Sequence, residues 1–328
     1  MIGKDWAGLA AAFLAAVSVT GSALAQNDAA PQQVYRVDRA FYPDLLEVVA
    51  TGYTFTEGPA WDGKQLIFSD IPKDTVYAYT PGEGVPKVLY RPSALANGHT
   101  FDREGRLLNA EHGSGAVTRW THEAGRQVIV EAFEGKHLNS PNDLVVRQSD
   151  GMLFFTDPPY GLRSAWQGVQ RTAELGFSGV FAFDETSGRM VLIDDALARP
   201  NGIAFSPDES TLYVTDSATQ TLWAYTIADD GSASDKRLVI DLTDKDKPGS
   251  VDGVRVGRDG LVYLTCPGGI CMVQASTGRL RERMKTPKPA TNLAWGGPGL
   301  SELYITAQSD LYRLRTNRIG IGSSSRSR

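Results

Sequence analysis

The chain has 328 residues and a formal net charge of −5, with 33 Lys and Arg against 38 Asp and Glu, so it offers no basic field to a phosphate backbone. Hydrophobic residues make up 41% and charged residues 22%, which is globular composition and excludes disordered and fibrous classes. Nucleic acid is not an expected partner, and the length suits one all-β unit as well as two ordinary domains.

Residues 1–25 are set apart from everything that follows. Lys4 lies in a short polar start, Trp6 to Val19 is an apolar run of 14, and Ala23-Leu24-Ala25 precedes Gln26, the pattern of a secretory signal peptide. The run is shorter than the ~20 apolar residues that cross a bilayer core. We therefore expect a mature chain beginning near Gln26, a periplasmic or secreted location, and no membrane association after cleavage. An N-terminal extension is expected over 26–44, a folded domain over 45–317, and a disordered tail over 318–328, which ends in SSSRSR. Nothing in the sequence speaks to oligomeric state.

Six segments share one shape, a β-rich run ending in a Thr-acid pair or its remnant: LIFSD ending at Asp70, LLNAE at Glu111, LFFTD at Asp157, LYVTD at Asp216, VYLTC at Cys266 and LYITA at Ala307. Their separations are 41, 46, 59, 50 and 41 residues. Further alternating runs lie between them, including TVYAYT (75–80), AVTRW (116–120), GVFAFD (179–184), TLWAYT (221–226) and DLYRLR (310–315). Each is bounded by Gly, Asp, Pro or Asn, which reads as strands joined by hairpins. Units of this size holding about four strands are propeller blades, and six close a ring. The expected fold is all-β, a six-bladed β-propeller of four-stranded blades. The last unit shows three strands, so LLEVVATGY (45–53) is expected to supply its fourth and close the ring.

The acids Glu111, Asp157 and Asp216 at strand ends fit a structural role, tying backbone through side-chain hydrogen bonds. Cys266 and Cys271 flank a Pro-Gly-Gly turn in LTCPGGICM. Export favours a disulfide between them, whereas a cross-strand bond at this spacing is geometrically demanding. Both states stay open.

A second repeated element precedes each strand-end residue by 13 to 16 positions: EGPAW (57–61), NGHTF (97–101), NDLVV (142–146), NGIAF (201–205), DGVRV (252–256) and TNLAW (291–295). In a propeller such innermost strands surround the axis, so the leading residues Glu57, Asn97, Asn142, Asn201, Asp252 and Thr291 converge. A single Asn-Gly would read as a turn. Five carboxylates or carboxamides in register read instead as a ring of oxygen donors, a hard-cation site for which calcium is the best fit among divalent ions.

The segments TEGPAW around Glu57, SPNDLV around Asn142, RPNGIAFSPD around Asn201 and SVDGVRV around Asp252 resemble the regucalcin/gluconolactonase family of six-bladed propellers, related in architecture to diisopropyl fluorophosphatase. The resemblance covers essentially the whole mature chain, and FTDPPYGL (155–162) looks like the bacterial gluconolactonase branch. It implies that Glu57, Asn201 and Asp252 ligate the metal, that Asn142 touches both metal and substrate, and that Asp252 is the candidate acid/base, unless it is purely a ligand. Ser140 stands where animal members carry a sugar-binding arginine, so their substrate preference does not carry over. The function implied is hydrolysis of a sugar lactone such as glucono-1,5-lactone to the aldonic acid. The same site as a phosphotriesterase or aryl esterase, or a binding propeller with a structural ion, are the alternatives.

Further residues are candidates for contact with the substrate or for the pocket wall. Asn97 belongs to the axial ring, and period-two alternation places His99 on its side of the strand. The 158–177 segment is longer than a hairpin needs, and its Tyr160, Arg163 and Trp166 are placed to cap the channel. His112, next to Glu111, is a further candidate for the pocket wall, whereas His122 and His137 read as solvated loop residues. No GxSxG elbow, P-loop or dinucleotide fingerprint is present, so serine-hydrolase and nucleotide chemistry lack their key residues.

Overall fold

The computed structural model describes residues 39–323. The segment read as a signal peptide, and the end of the tail from 324 on, lie outside the described residues.

Alternating β-branched and aromatic runs form six four-stranded antiparallel sheets. The innermost strands of the first five blades are Thr56–Trp61, Ala96–Phe101, Leu144–Val146, Pro200–Phe205 and Val254–Val256, and each blade then runs outward in chain order. The sixth blade begins with Asn292–Gly296 and ends on Leu46–Thr51, which pairs antiparallel with Asp310–Arg315. The ring is thus closed by an N-terminal strand on the last blade, as the missing fourth strand predicts. Each innermost strand touches the innermost strands of both neighbouring blades.

Apolar faces of adjacent blades bury against each other. One cluster joins Trp61, Phe68, Tyr263, Trp295 and Tyr304 across blades one, five and six, with Trp61 stacked on Tyr304 at 5.7 Å. These rings carry the inter-blade packing through large buried area.

The strand-end acids do what their repetition suggests. Asp70 accepts from the backbone N–H groups of Thr54 and Phe55, Asp157 from Asn139 and Ser140, and Asp216 from Ala198 and Arg199. Each carboxylate therefore holds the chain that enters its blade's innermost strand. Glu111 differs, accepting from Ser114, Thr118 and Arg126. The threonines preceding Asp157 and Asp216 reach the next blade: Thr156 Oγ1 donates to the Asn201 carbonyl at 2.7 Å and Thr215 Oγ1 to the Asp252 carbonyl at 2.6 Å.

Cys266 and Cys271 form a disulfide across the Pro267-Gly268 turn. Part of the expected tail is ordered, which corrects the boundary drawn at 318. Ile319 and Gly320 hydrogen-bond to Arg258 and Leu300, Gly320 bridges to Gly257, and Ile321 packs on the blade-five cluster. An apolar residue among glycines can dock against a sheet edge, which the charged residues around it conceal in the sequence.

Candidate active site

The Asn-Gly and Asp-Gly dipeptides lie within or at the start of the innermost strands and make no turns. Gly98 N–H donates to the Asn142 carbonyl at 2.9 Å, and Gly202 N–H to the Asp252 carbonyl at 3.2 Å, so each binds the leading residue of the next blade. Glycine is required by this approach: a Cβ at Gly98 would sit 2.4 Å from the Asn142 carbonyl oxygen, and one at Gly58, whose φ is +57°, would sit 1.9 Å from that of Asn97. In blades one, two and four the dipeptide sits at a break in strand register, between Glu57 and Ala60, Ala96 and His99, and Pro200 and Ile203. These are β-bulges, with two residues facing one, and they turn the leading side chain toward the axis.

Glu57, Asn142, Asn201 and Asp252, from four blades, all line one cavity of about 270 Å³, together with Asn97, His112 and Tyr160. The Glu57 carboxylate is buried and that of Asp252 half-buried, and neither forms an ion pair among the described residues. Burial pushes the Glu57 carboxyl up, against the pull of Gly58 N–H and the Asn292 amide. Asp252 is raised as well, first by burial and then by the negative charges of Glu57 and Asp143. Two acids crowded into one desolvated space favour either a proton or a cation beside them.

Beneath them, Asp143 is paired with Arg255 at 3.2 Å and does not face the cavity. Asn292 Nδ2 donates to Glu57 Oε2 at 3.1 Å, and Gly58 N–H donates to the same oxygen at 2.7 Å. Both bonds fall on Oε2.

His112 organises the opposite wall. Its Nδ1 faces the Gln167 carbonyl at 3.0 Å, which can only accept, so Nδ1 carries the proton and Nε2 accepts. Nε2 lies 3.0 Å from Asn97 Nδ2 and 3.4 Å from Asn142 Nδ2. Both amide nitrogens are drawn to the ring, leaving both amide oxygens for other partners. Asn97 Oδ1 is buried with no hydrogen-bond partner. Burial holds the His112 ring down to about 4, so it stays neutral and keeps this role at ordinary pH.

His99 does not line the cavity, contrary to the alternation argument. The bulge between Ala96 and His99 resets the period of two, and the ring is buried between Ser69 Oγ at 2.8 Å and Asn109 Oδ1 at 2.9 Å. Thr291, the sixth leading residue, is likewise not part of the wall. Its Oγ1 donates to the Thr56 carbonyl, and its neighbour Asn292 reaches Glu57 instead.

The 158–177 segment contributes Tyr160, at the start of a one-turn helix Tyr160–Arg163, and Gln167. Ser140 Oγ fixes this turn, donating to the Pro158 carbonyl and accepting from Gly161 N–H. Arg163 is exposed and outside the wall, whereas Trp166 stands edge-on to the wall residue Phe55 at 5.2 Å. Phe55, Arg199, Ser217 and Ser250 are cavity residues that no repeat marked. Arg199 and Ser250 each lie two positions before a leading residue, which is the signal that could have found them.

Among the described residues no group of three or more His, Cys, Asp or Glu side chains is arranged to hold a metal. The donor set here is two carboxylates with carboxamides, which suits a hard cation and no soft one.

The fold and this polar axial cavity define a propeller that acts on a small molecule. The chain belongs to the SMP-30/gluconolactonase/LRE-like family, whose region matches residues 55–309. It is 32% identical over 343 aligned residues to the gluconolactonase of Zymomonas mobilis, covering 94% of each chain. It is 29% identical to regucalcin of Xenopus laevis over 80% of this chain and 86% of that one. The solved structure of a gluconolactonase from Xanthomonas campestris superposes with a TM-score of 0.77 at 34% identity, covering 83% of this chain and 89% of the other. With these relatives the protein is a lactonase, and its substrate is a small molecule. The phosphotriester, aryl-ester and structural-ion readings gain no support from them.

Proposed function

We propose that the cavity hydrolyses a sugar lactone of the glucono-1,5-lactone type to its aldonic acid with the help of one divalent cation, calcium by the chemistry of the donors. The observation that carries the reading is the convergence of Glu57, Asn142, Asn201 and Asp252 on one cavity, with two desolvated carboxylates that have no ion-pair partner among the described residues. The unpartnered buried Asn97 Oδ1 adds an oxygen directed to the same need. Kinship with a regucalcin and with gluconolactonases supports both the cation and the substrate class.

Glu57, Asn142, Asn201 and Asp252 would hold the ion. When bound, it would supply electrophilic polarisation of the lactone carbonyl and lower the pKa of a water at the site. Asp252 takes the proton of the attacking water as the new C–O bond forms, and returns it to the ring oxygen as the acyl C–O bond breaks. Tyr160, whose hydroxyl is pushed up first by burial and then by the Asp252 charge, stays protonated and can donate to a substrate oxygen. His112 holds the amide oxygens of Asn97 and Asn142 in place.

We propose further that the protein is exported, as the pattern of residues 1–25 and the Cys266–Cys271 disulfide favour. The catalytic reading is tested by pH-stat hydrolysis of gluconolactone and of paraoxon, with and without EDTA, on the wild type and Asp252→Ala. Lactone hydrolysis lost to both EDTA and the substitution is expected. Hydrolysis that survives both would exclude the metal-dependent reading.

A further inference from the structure

The cavity wall is divided in character. Phe55 and Ile71 make an apolar side, while Arg199, Ser217 and Ser250 make a polar side. Arg199 is held there by its own backbone: its N–H donates to Asp216 at 3.1 Å and its carbonyl accepts from Ser217 N–H at 3.1 Å. The side chain is half-buried and makes no hydrogen bond or ion pair among the described residues. Other arginines that approach the interior are engaged, Arg119 with Asp102 and Glu185, Arg147 with Asp150, and Arg255 with Asp143. On the same wall Ser217 Oγ is buried beside the Tyr160 hydroxyl, without a bond that meets full hydrogen-bond geometry.

A guanidinium presents five donors in a planar fork that matches an oxyanion, and a neighbouring hydroxyl can complete the match. The charge balance points the same way. Glu57 and Asp252 would repel an anion from an unloaded cavity, but a divalent cation balances the pair, and the positive charge of Arg199 is then in excess. We propose that Arg199 and Ser217 form a subsite for an anionic oxygen group carried on the substrate, so that sugar lactones bearing a second, free carboxylate are hydrolysed in preference to neutral ones. This rests on the lactonase reading of the cavity and names the substrate class more narrowly. The carboxylate could instead be that of the hydrolysis product, which the test separates.

D-glucaro-1,4-lactone and D-glucono-1,4-lactone differ only in a carboxylate against a hydroxymethyl at C6. The calcium-loaded enzyme is expected to show kcat/KM about 10- to 100-fold higher for the first, the range for a charge-assisted bond. Arg199→Gln should collapse that ratio toward one, and Arg199→Lys should retain part of it. A wild-type ratio near one, or a ratio unchanged in Arg199→Gln, overturns the proposal while leaving the lactonase intact. If Arg199→Gln relieves inhibition by D-gluconate without altering the ratio, the guanidinium serves the product carboxylate and the proposal fails. Should neither lactone be hydrolysed, calorimetry with D-glucarate and D-gluconate on the loaded protein still decides. Tighter glucarate binding that depends on Arg199 keeps the subsite, and equal binding removes it.

Discussion

Asn292 of the sixth blade donates to Glu57 of the first at 3.1 Å, across the seam where the ring closes. Together with Gly58 N–H it occupies Oε2 of that carboxylate, so Oε1 is left for a ligand. The Asn292 side chain is itself fixed, because its Oδ1 accepts from Leu293 N–H at 2.8 Å. Groups that orient a metal ligand from behind commonly contribute 10- to 100-fold in affinity. Asn292→Leu should therefore weaken calcium binding about tenfold or more by calorimetry, with the fold retained by circular dichroism. Unchanged affinity would show that Glu57 needs no support from this side.

His112 acts on the other wall through two amides. Replacing it by Phe keeps the bulk and removes the acceptor that draws Asn97 Nδ2 and Asn142 Nδ2. The amides are then free to rotate and to offer nitrogen where oxygen is required. We expect His112→Phe to lower both calcium affinity and kcat, and His112→Asn, which keeps an acceptor at shorter reach, to recover part of each. Full activity in His112→Phe would mean that the amides are held without it.

Asp252 should illustrate a conflict between activity and stability. Its carboxyl is raised by burial and by the charges of Glu57 and Asp143. Such a group contributes most stability when protonated, below its unfolded pKa, and that contribution is lost as pH rises toward the folded value. Asp252→Asn should thus be inactive yet, in EDTA, more stable than the wild type by about 1–2 kcal/mol in urea unfolding at neutral pH. Saturating calcium should reverse the order, since ion at a hundredfold excess over Kd adds about 2.7 kcal/mol to the wild type alone. A metal-free variant no more stable than the wild type would argue that Asp252 is already compensated.

Much of the ring was legible because its signal is periodic. The Thr-acid strand ends and the Asn-Gly strand starts recur at blade spacing, and convergence of the second set on an axis follows from topology. What the sequence conceals is local. The bulges that displace His99 from the cavity are a matter of how Gly98 approaches the next blade's carbonyl, and no alternation count reveals them. The same applies in the sixth blade, where the register of TNLAW points to Thr291 but it is Asn292 that reaches Glu57. Thr156 and Thr215 read as strand-end residues, yet they bond to the carbonyls of Asn201 and Asp252 one blade away. Arg199 and Ser250 stand outside the repeated element, and only their shared place two positions before a leading residue marks them as cavity residues.

His99 provides a separate test of the buried polar core. Its ring is enclosed between Ser69 and Asn109, and burial pulls it down to about 4 from an ordinary 6.5, with the Asn109 bond opposing. A base whose folded pKa is depressed contributes stability that is complete above the unfolded value and is lost as pH falls through the folded one. The window is therefore pH 6.5 down to 4, and the shift corresponds to at most about 3 kcal/mol from this residue. His112 is depressed to a similar value and adds a loss of the same sign, while Glu57 and Asp252 act in the opposite sense when metal is absent. Unfolding free energy alone would mix these, so the decisive measurement is the imidazole carbon shift of His99 by NMR. It should report a neutral ring at pH 5 in the wild type, and the acid loss of stability should become shallower in His99→Gln. A ring that titrates near 6.5 would show that water reaches it and that the contacts with Ser69 and Asn109 are not maintained in solution.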